Sequence, residues 1–347
     1  MIDSAVRSVL AMPISVNALQ DAASRENTKR RASLLHEYAA TFLAHTPALP
    51  FPGSGQTRAR WRALAELGGQ DLCLVKLLEA HYDAQAILAE LGGEAPRPGE
   101  LWAVWAAEPP GLPLEFHAAV SSNGRLTGTK AWCSGADLVT HALVTAHRGG
   151  ERVLCRMAMD SARMHYDDSR WRPVGMAGIS SGTLELKDVR ARSVGEDGAY
   201  LKRPGFWHGG AGIAACWYGG AVAVAERLRG EPKISSRPHA AAHLGAIDVA
   251  LAGARAVLLQ TADLIDSEPL QPHRHAVVRA RSLVESACRD VVDRVGRALG
   301  AGPLCTEGTH AQRCADLLTF VRQHHAENDL QQLGEASAAA KDSPWTL

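Results

Sequence analysis

Leu126-Thr-Gly-Thr-Lys-Ala-Trp132-Cys-Ser-Gly-Ala136 lies in the middle third of the chain and reads as a β-strand running into a turn. Trp132 and Ser134 stand two apart, so a regular pleat puts both on one face of a sheet. Similar short runs surround it: Leu101-Trp-Ala-Val-Trp105, His141-Ala-Leu-Val-Thr145, Arg152-Val-Leu-Cys-Arg-Met-Ala-Met159 and Gly182-Thr-Leu-Glu-Leu-Lys187. Ser-Asn-Gly, Arg-Gly-Gly and Asp-Asp-Ser turns separate them, and no helical period intervenes. Strands at this spacing predict an antiparallel sandwich or barrel over residues 100–195.

On both sides the period lengthens to that of a helix. Residues 1–99 carry Ala, Leu, Glu and Arg at i, i+3, i+4 spacing from about Ser4 to Leu91, broken by the Pro- and Gly-rich stretch from Thr46. Arg58 to Leu91 reads as two helices joined near Gly68-Gly69. Residues 196–347 give four helical segments, about Phe206–Leu228, Pro238–Ile265, His273–Leu299 and Thr309–Leu333, followed by a polar tail. That is the pattern of a four-helix bundle. The expected fold class is α+β: an N-terminal helical domain, a middle antiparallel β-barrel and a C-terminal four-helix bundle.

Composition narrows the function. The 347 residues hold 37 basic and 37 acidic side chains, and the balance leaves no long-range field for a general nucleic-acid binder. At 46% hydrophobic and 21% charged, the chain can bury a large core. Seven scattered cysteines without a C-x-x-C pair signal neither a disulfide framework nor a zinc site, so no metal is expected and a reducing cytoplasm is the expected location. Neither a secretory leader nor a membrane span is expected.

The central stretch, with Ala107-Glu-Pro, Trp171-Arg-Pro-Val-Gly-Met176 and Ser180-Ser-Gly-Thr-Leu-Glu-Leu-Lys-Asp-Val189, resembles the middle domain of flavin-dependent acyl-CoA dehydrogenases. That family also runs helical domain, β-barrel, four-helix bundle. The resemblance covers about Arg60 to Gly334 and implies FAD, an acyl-CoA or related thioester substrate, an electron acceptor, and a homodimer or homotetramer. Trp132 and Ser134 match the residues that line the flavin. A flat ring with polar edge atoms suits an aromatic neighbour and a hydroxyl donor. Taken alone, the pair reads first as a core tryptophan with a satisfied strand-end serine; Gly128-Thr-Lys130 and the flanking domains turn the reading toward the flavin.

Several family positions are altered. Ala107 replaces the Thr before Glu-Pro, and Leu112-Pro113 replaces a Gly-Ser pair that donates to flavin and phosphate; proline has no N–H to give. Arg227 aligns with the Arg that reaches a flavin diphosphate across a subunit interface, and Arg255 with a second one. A guanidinium suits a diphosphate because its donors form a rigid fork. The family's Gln-x-x-Gly-Gly turn becomes Arg297-Ala-Leu-Gly300, where Arg297 is expected to offset lost donors. Lys130 adds local positive charge.

The catalytic position departs furthest. Dehydrogenation needs a carboxylate to take the α-proton while a hydride leaves the β-carbon. The family's two locations for that Glu hold His324 and Ile213 here. His324 can act as a base near neutral pH, and Glu327 is expected one helical turn on, either orienting it or acting itself. His325 points to another face. The implied function is α,β-dehydrogenation of an acyl thioester. A flavin monooxygenase of the same fold, which needs no α-proton base, and a catalytically silent assembly protein are the alternatives.

Overall fold

A computed structural model of the chain describes residues 28–111 and 113–346, with residues 28–30 described by backbone alone. The helical expectation for residues 4–27 and the altered position Leu112 lie outside the described residues. The chain forms two compact units. One holds the described residues up to 51 together with Cys73–Phe206, and the other holds Pro52–Leu72 with Trp207–Leu347. The expected domains, 1–99, 100–195 and 196–347, follow the order of helix and strand along the chain; packing groups the segments differently.

In the first unit, α1 (Thr28–His45) and α3 (Leu72–Glu90) precede seven strands. These are β1 (Trp102–Trp105), β2 (Leu114–Ala118), β3 (Asn123–Ser134), β4 (His141–Arg148), β5 (Glu151–Ala158), β6 (Met164–Asp167) and β7 (Ser181–Ser193), with a short α4 (Ala199–Lys202) after them. The order β4-β2-β3-β7-β5 closes through a β4–β5 ladder, so five strands make a small barrel, with β1 on β4 and β6 on β7. Two features differ from expectation. β2 and β6 were not anticipated from the sequence. And β4 runs parallel to both β1 and β2, so the sheet is mixed rather than antiparallel. β4 explains itself: Ala142 to Ala146 are all buried, the continuous apolar run of a strand covered on both faces.

The core of this unit joins α3 to the barrel through Ala84, Ile87, Leu88, Trp102, Leu143, Leu154, Val194 and Tyr200. One ion pair closes its end. Arg203 Nη1 donates to Glu90 Oε2 at 2.7 Å, and the Gly205 N–H donates to Glu90 Oε1 at 3.0 Å. His81 is buried on α3, where its Nδ1 accepts the Trp102 N–H at 3.2 Å. Burial pulls its pKa down to about 4, against a smaller opposing effect of Glu100.

The second unit contains α2 (Thr57–Gln70), α5 (Gly205–Arg229, from Trp207 onward), α6 (Pro238–Ser267), α7 (Arg274–Leu299), α8 (Gly302–Thr306), α9 (Gly308–Phe320) and α10 (Glu327–Ala339). Gly68-Gly69, expected as a break, lies inside α2, and the helix ends instead at Asp71. The glycines serve a close crossing. A Cβ on Gly68 would meet Cys216 O at 2.3 Å, and one on Gly219 would meet Ala65 O at 1.8 Å. Asp266 of α6 caps α2 by accepting from the Thr57 N–H at 2.9 Å and Thr57 Oγ1 at 2.6 Å. The last expected helix, Thr309–Leu333, is broken in two: α9 passes through a 3₁₀ turn at Val321–Gln323, and the chain is extended at His324 before α10 begins. α6 is the one described helix long and apolar enough to cross a membrane, yet only 17% of its apolar window is buried.

His81 gives a pH prediction. A ring whose pKa is lower folded than unfolded binds its proton mainly in the unfolded state, so stability falls as pH drops through about 6.5 toward about 4. The loss is at most about 3 kcal/mol. Chemical denaturation at pH 7 and pH 4.5 measures it, and His81→Gln is expected to flatten that pH slope.

Candidate functional site

The end of β3 is shaped by its ladder with β7. Lys130 pairs with Leu184 and Cys133 with Gly182, so β3 carries one extra residue between these points. Trp132 takes it up with φ 59°, the left-handed region that a bulky side chain rarely adopts. The bulge interrupts strict alternation just where Trp132 and Ser134 were expected to share a face. Lys130, Ala131 and Cys133 are buried, whereas Trp132 is 57% exposed.

Polar groups follow in the next residues of β3 and across its ladder with β7. Ser134 Oγ lies 2.7 Å from Ser181 Oγ, its register partner on β7. The Trp105 indole donates to Ser134 O at 3.1 Å and fixes the strand end. Trp171 meets Trp132 edge-on, with centroids 6.4 Å apart and planes at 75°. Its own Nε1–H is buried without an acceptor among the described residues. Nearby in sequence, Tyr166 donates to Ser180 Oγ at 2.7 Å and Ser180 to Asp168 Oδ2 at 3.0 Å. Burial pushes Tyr166 up to about 12. Tyr166, Ser180 and Asp168 line a cavity of about 690 Å³ with His36 and Asp137.

This donor set fits a flat heteroaromatic ring. Trp132 offers a free apolar face, one of the two serine hydroxyls keeps a hydrogen after bonding the other, and the Trp171 N–H is an orphaned donor needing an acceptor. Trp171 and Ser181 were not singled out as site residues from sequence, although both lie in the stretches that carry the family resemblance.

Ala107 sits exposed in the loop after β1 and brings no hydroxyl. Its neighbour Glu108 anchors that loop, accepting from Arg152 Nε at 3.0 Å and Nη2 at 2.5 Å, with His147 Nε2 at 3.3 Å. Burial alone would raise the Glu108 carboxyl, but hydrogen bonds and the Lys130 and Arg152 charges hold it below the usual range. Lys130 is buried and donates to Thr145 O and Oγ1 at 2.7 and 2.8 Å, and burial lowers it to about 8. Its charge braces the barrel interior.

In the second unit the expected residues have partners of their own. Arg227, near the end of α5, donates through Nε and Nη2 to both oxygens of Glu307 at 2.7 and 2.8 Å, and through Nη1 to Glu231 at 3.2 Å. The bonds to Glu307 raise the guanidinium further above its ordinary value. Arg297 is exposed beside Asp293 at 3.3 Å, an i,i+4 pair on α7, and Gly300 ends that helix at φ 76°. Arg255 is exposed on α6.

His324 is buried, and both ring nitrogens are engaged. The Ala326 N–H donates to Nδ1 at 3.0 Å. Ser282 Oγ gives its hydrogen to Val278 O at 2.8 Å, so it accepts from His324 Nε2 at 2.9 Å. The network assigns a neutral, Nε2-protonated ring, and burial lowers its pKa in the same sense. The carboxylate beside it is Asp329, 3.5 Å from Nε2, rather than Glu327, because the chain does not continue as one helix through His324. Glu327 is exposed in the first turn of α10. Asp329, buried at the third position of that helix, was missed in the sequence; its signal is the acidic first turn after a break.

No family model matches the sequence, and no curated protein matches it either. Solved structures do. A glutaryl-CoA dehydrogenase from Mycobacterium smegmatis in complex with FADH2 superposes with a TM-score of 0.76 at 14% identity, covering 97% of this chain and 95% of that one. Butyryl-CoA dehydrogenase from Megasphaera elsdenii gives 0.71 at 14% identity over 96% and 97%. TdsC from Paenibacillus sp. A11-2, a dibenzothiophene monooxygenase, gives 0.72 at 15% identity over 92% and 96% in its complex with FMN and indole. Identity this low speaks for the path of the backbone alone, and by that path the chain has the acyl-CoA dehydrogenase fold.

Proposed function

We propose that this chain is a flavin-dependent oxidoreductase. The observation that carries the reading is the end of β3: an exposed Trp132 held in a left-handed conformation at a bulge, beside the Ser134–Ser181 hydroxyl pair and the unsatisfied Trp171 N–H. Backbone strain of this kind costs on the order of 1–3 kcal/mol and persists where the surroundings enforce it. A bound flavin supplies a ring that exchanges hydride and, when reduced, reacts with oxygen. With a flavin bound, Trp132 would cover a ring face and a serine hydroxyl and the Trp171 N–H would serve polar ring atoms, while Trp105 holds the strand end through Ser134 O.

FAD is the form implied by the sequence resemblance; fold neighbours carry FMN in TdsC and FADH2 in the glutaryl-CoA dehydrogenase. The diphosphate of FAD would have to take Arg227 from Glu307 and Glu231.

Of the two redox readings, the oxygen-using one has the better support in this chain. Removing an α-proton requires a free basic lone pair. At the two family positions stand Ile213 and a His324 whose Nδ1 already accepts a backbone N–H. Oxygen chemistry on reduced flavin asks for no such base. TdsC, a monooxygenase, and a nitrososynthase from Micromonospora carbonacea var. africana share the fold, the latter with a TM-score of 0.66 at 16% identity over 82% of this chain. Dehydrogenation of an acyl thioester, with an electron acceptor, is the second reading and rests on the match to the dehydrogenases. A second copy of this chain is the partner proposed for α6, whose apolar side chains, Val249 at 73% among them, lie open.

Three outcomes follow. The purified protein takes up FAD or FMN with a visible flavin spectrum, and Trp132→Ala weakens uptake by about tenfold, the scale of one lost aromatic contact. Under anaerobic conditions a panel of acyl-CoAs leaves that flavin oxidised, while supplied reduced flavin supports oxygen uptake. Bleaching by any acyl-CoA would overturn the monooxygenase reading, and failure to take up either flavin would remove both redox readings and leave the silent assembly protein. Second, Glu307→Gln loosens the clamp on Arg227 and tightens FAD several-fold while leaving FMN unchanged, as read by flavin fluorescence titration. Third, light scattering finds a dimer or tetramer, which Val249→Asp shifts toward monomer with the circular dichroism spectrum unchanged.

A further inference from the structure

At the opposite end of β3 from Trp132, arginines gather on the outside of the barrel. The register places Arg125 of β3 opposite Arg190 of β7, and Arg192 of β7 opposite both Asn123 of β3 and Arg156 of β5. Arg190 and Arg192 are exposed while Val189 and Ala191 between and beside them are buried, so the alternation of β7 turns both arginines outward. Four guanidinium groups thus share one face of three adjacent strands. Like charges directly opposite each other across a ladder are destabilising, so this placement costs the sheet some stability.

Carboxylates only partly offset them. Glu94 serves both Arg156 and Arg192, at 3.1 Å each. Asp188, set at φ 60° where β7 has its own extra residue between Leu186 and Val189, serves Arg125 at 2.9 Å and also Arg163 at 3.1 Å. The Arg190 guanidinium makes no ion pair or hydrogen bond among the described residues. Two carboxylates therefore answer five arginines. The face is concave: Arg125, Arg156, Arg190 and Arg192, with Asn123 and His141, line a groove of about 510 Å³. That volume suits a small ligand, within the usual range of about 300–1,000 Å³.

We propose that this groove binds a small molecule carrying two or more linked phosphate groups. Rows of guanidinium forks one strand apart, about 5 Å, and two residues apart, about 7 Å, can each take a different phosphate of a diphosphate in paired charge-assisted hydrogen bonds. The zero net charge of the chain and the confinement of the cluster to one groove favour this ligand over a nucleic-acid backbone, which needs an extended basic track. The site is separate from the flavin reading: Arg125 lies seven residues before Trp132, about 23 Å along the strand.

The test is calorimetric titration of the whole chain, saturated with flavin where it takes flavin up, using inorganic diphosphate and ADP at low ionic strength. Both are expected to bind, orthophosphate less tightly, with affinity falling steeply as salt is raised. Arg190→Ala/Arg192→Ala is expected to weaken both probes at least about tenfold. That variant should keep its flavin uptake and melt no lower than the parent, since it removes charges that oppose each other. The proposal fails if neither probe binds at millimolar concentration, if the double variant binds them equally, if flavin saturation abolishes binding, or if a DNA duplex binds more tightly than ADP.

Discussion

The ladder between β3 and β7 is the constraint on which the rest of the first unit depends. It joins the two longest strands, it is one of the five pairings that close the barrel, and it slips register twice. Each slip inserts one residue, once on each strand, and each inserted residue has a left-handed backbone: Trp132 on β3 and Asp188 on β7. Bulges increase local twist and bend a strand, which a barrel this small requires in order to close. The same two irregularities re-aim side chains. One throws an indole outward beside two serines, and the other sets a carboxylate between arginines.

What was legible in the sequence follows from this. Period two gave β1, β3, β4, β5 and β7 their places, and the motif around Trp132 gave the fold, because both depend on local chemistry. The bulges were not legible: Ala131-Trp132-Cys133 looks like continued alternation, and nothing local says that one residue has lost its partner. The parallel pairing of β4 is also silent in a single sequence, since strand direction is set by chain topology. Gly68-Gly69 misled for a different reason. Glycine breaks helices when exposed, but here it is retained inside one because Cys216 O leaves no room for a Cβ.

Charge shows the same limit at longer range. A balance of 37 against 37 excludes a global field, yet says nothing of where the charges fall. Folding sets Arg125, Arg156, Arg190 and Arg192 together on the barrel while it buries Lys130 and neutralises Arg227 with two carboxylates. Two of the cations expected near a flavin phosphate, Arg227 and Lys130, are thus occupied, and an excess of arginines stands elsewhere.

His324 shows why alignment and geometry must be read together. The sequence resemblance implies for it the place of a catalytic carboxylate. By geometry it splices two helices: the Ala326 N–H at the start of α10 is satisfied by Nδ1, and Nε2–H ties the splice to Ser282 of α7. A proton on Nδ1 would break the first bond, and burial opposes the charge as well. His81 is held in the same way on α3, by the Trp102 N–H. In both units a buried imidazole accepts a backbone N–H, at the start of α10 for His324 and at the start of β1 for His81. A lone pair spent in that way is not available to a substrate, so neither His324 nor His81 offers Nδ1 as a free base.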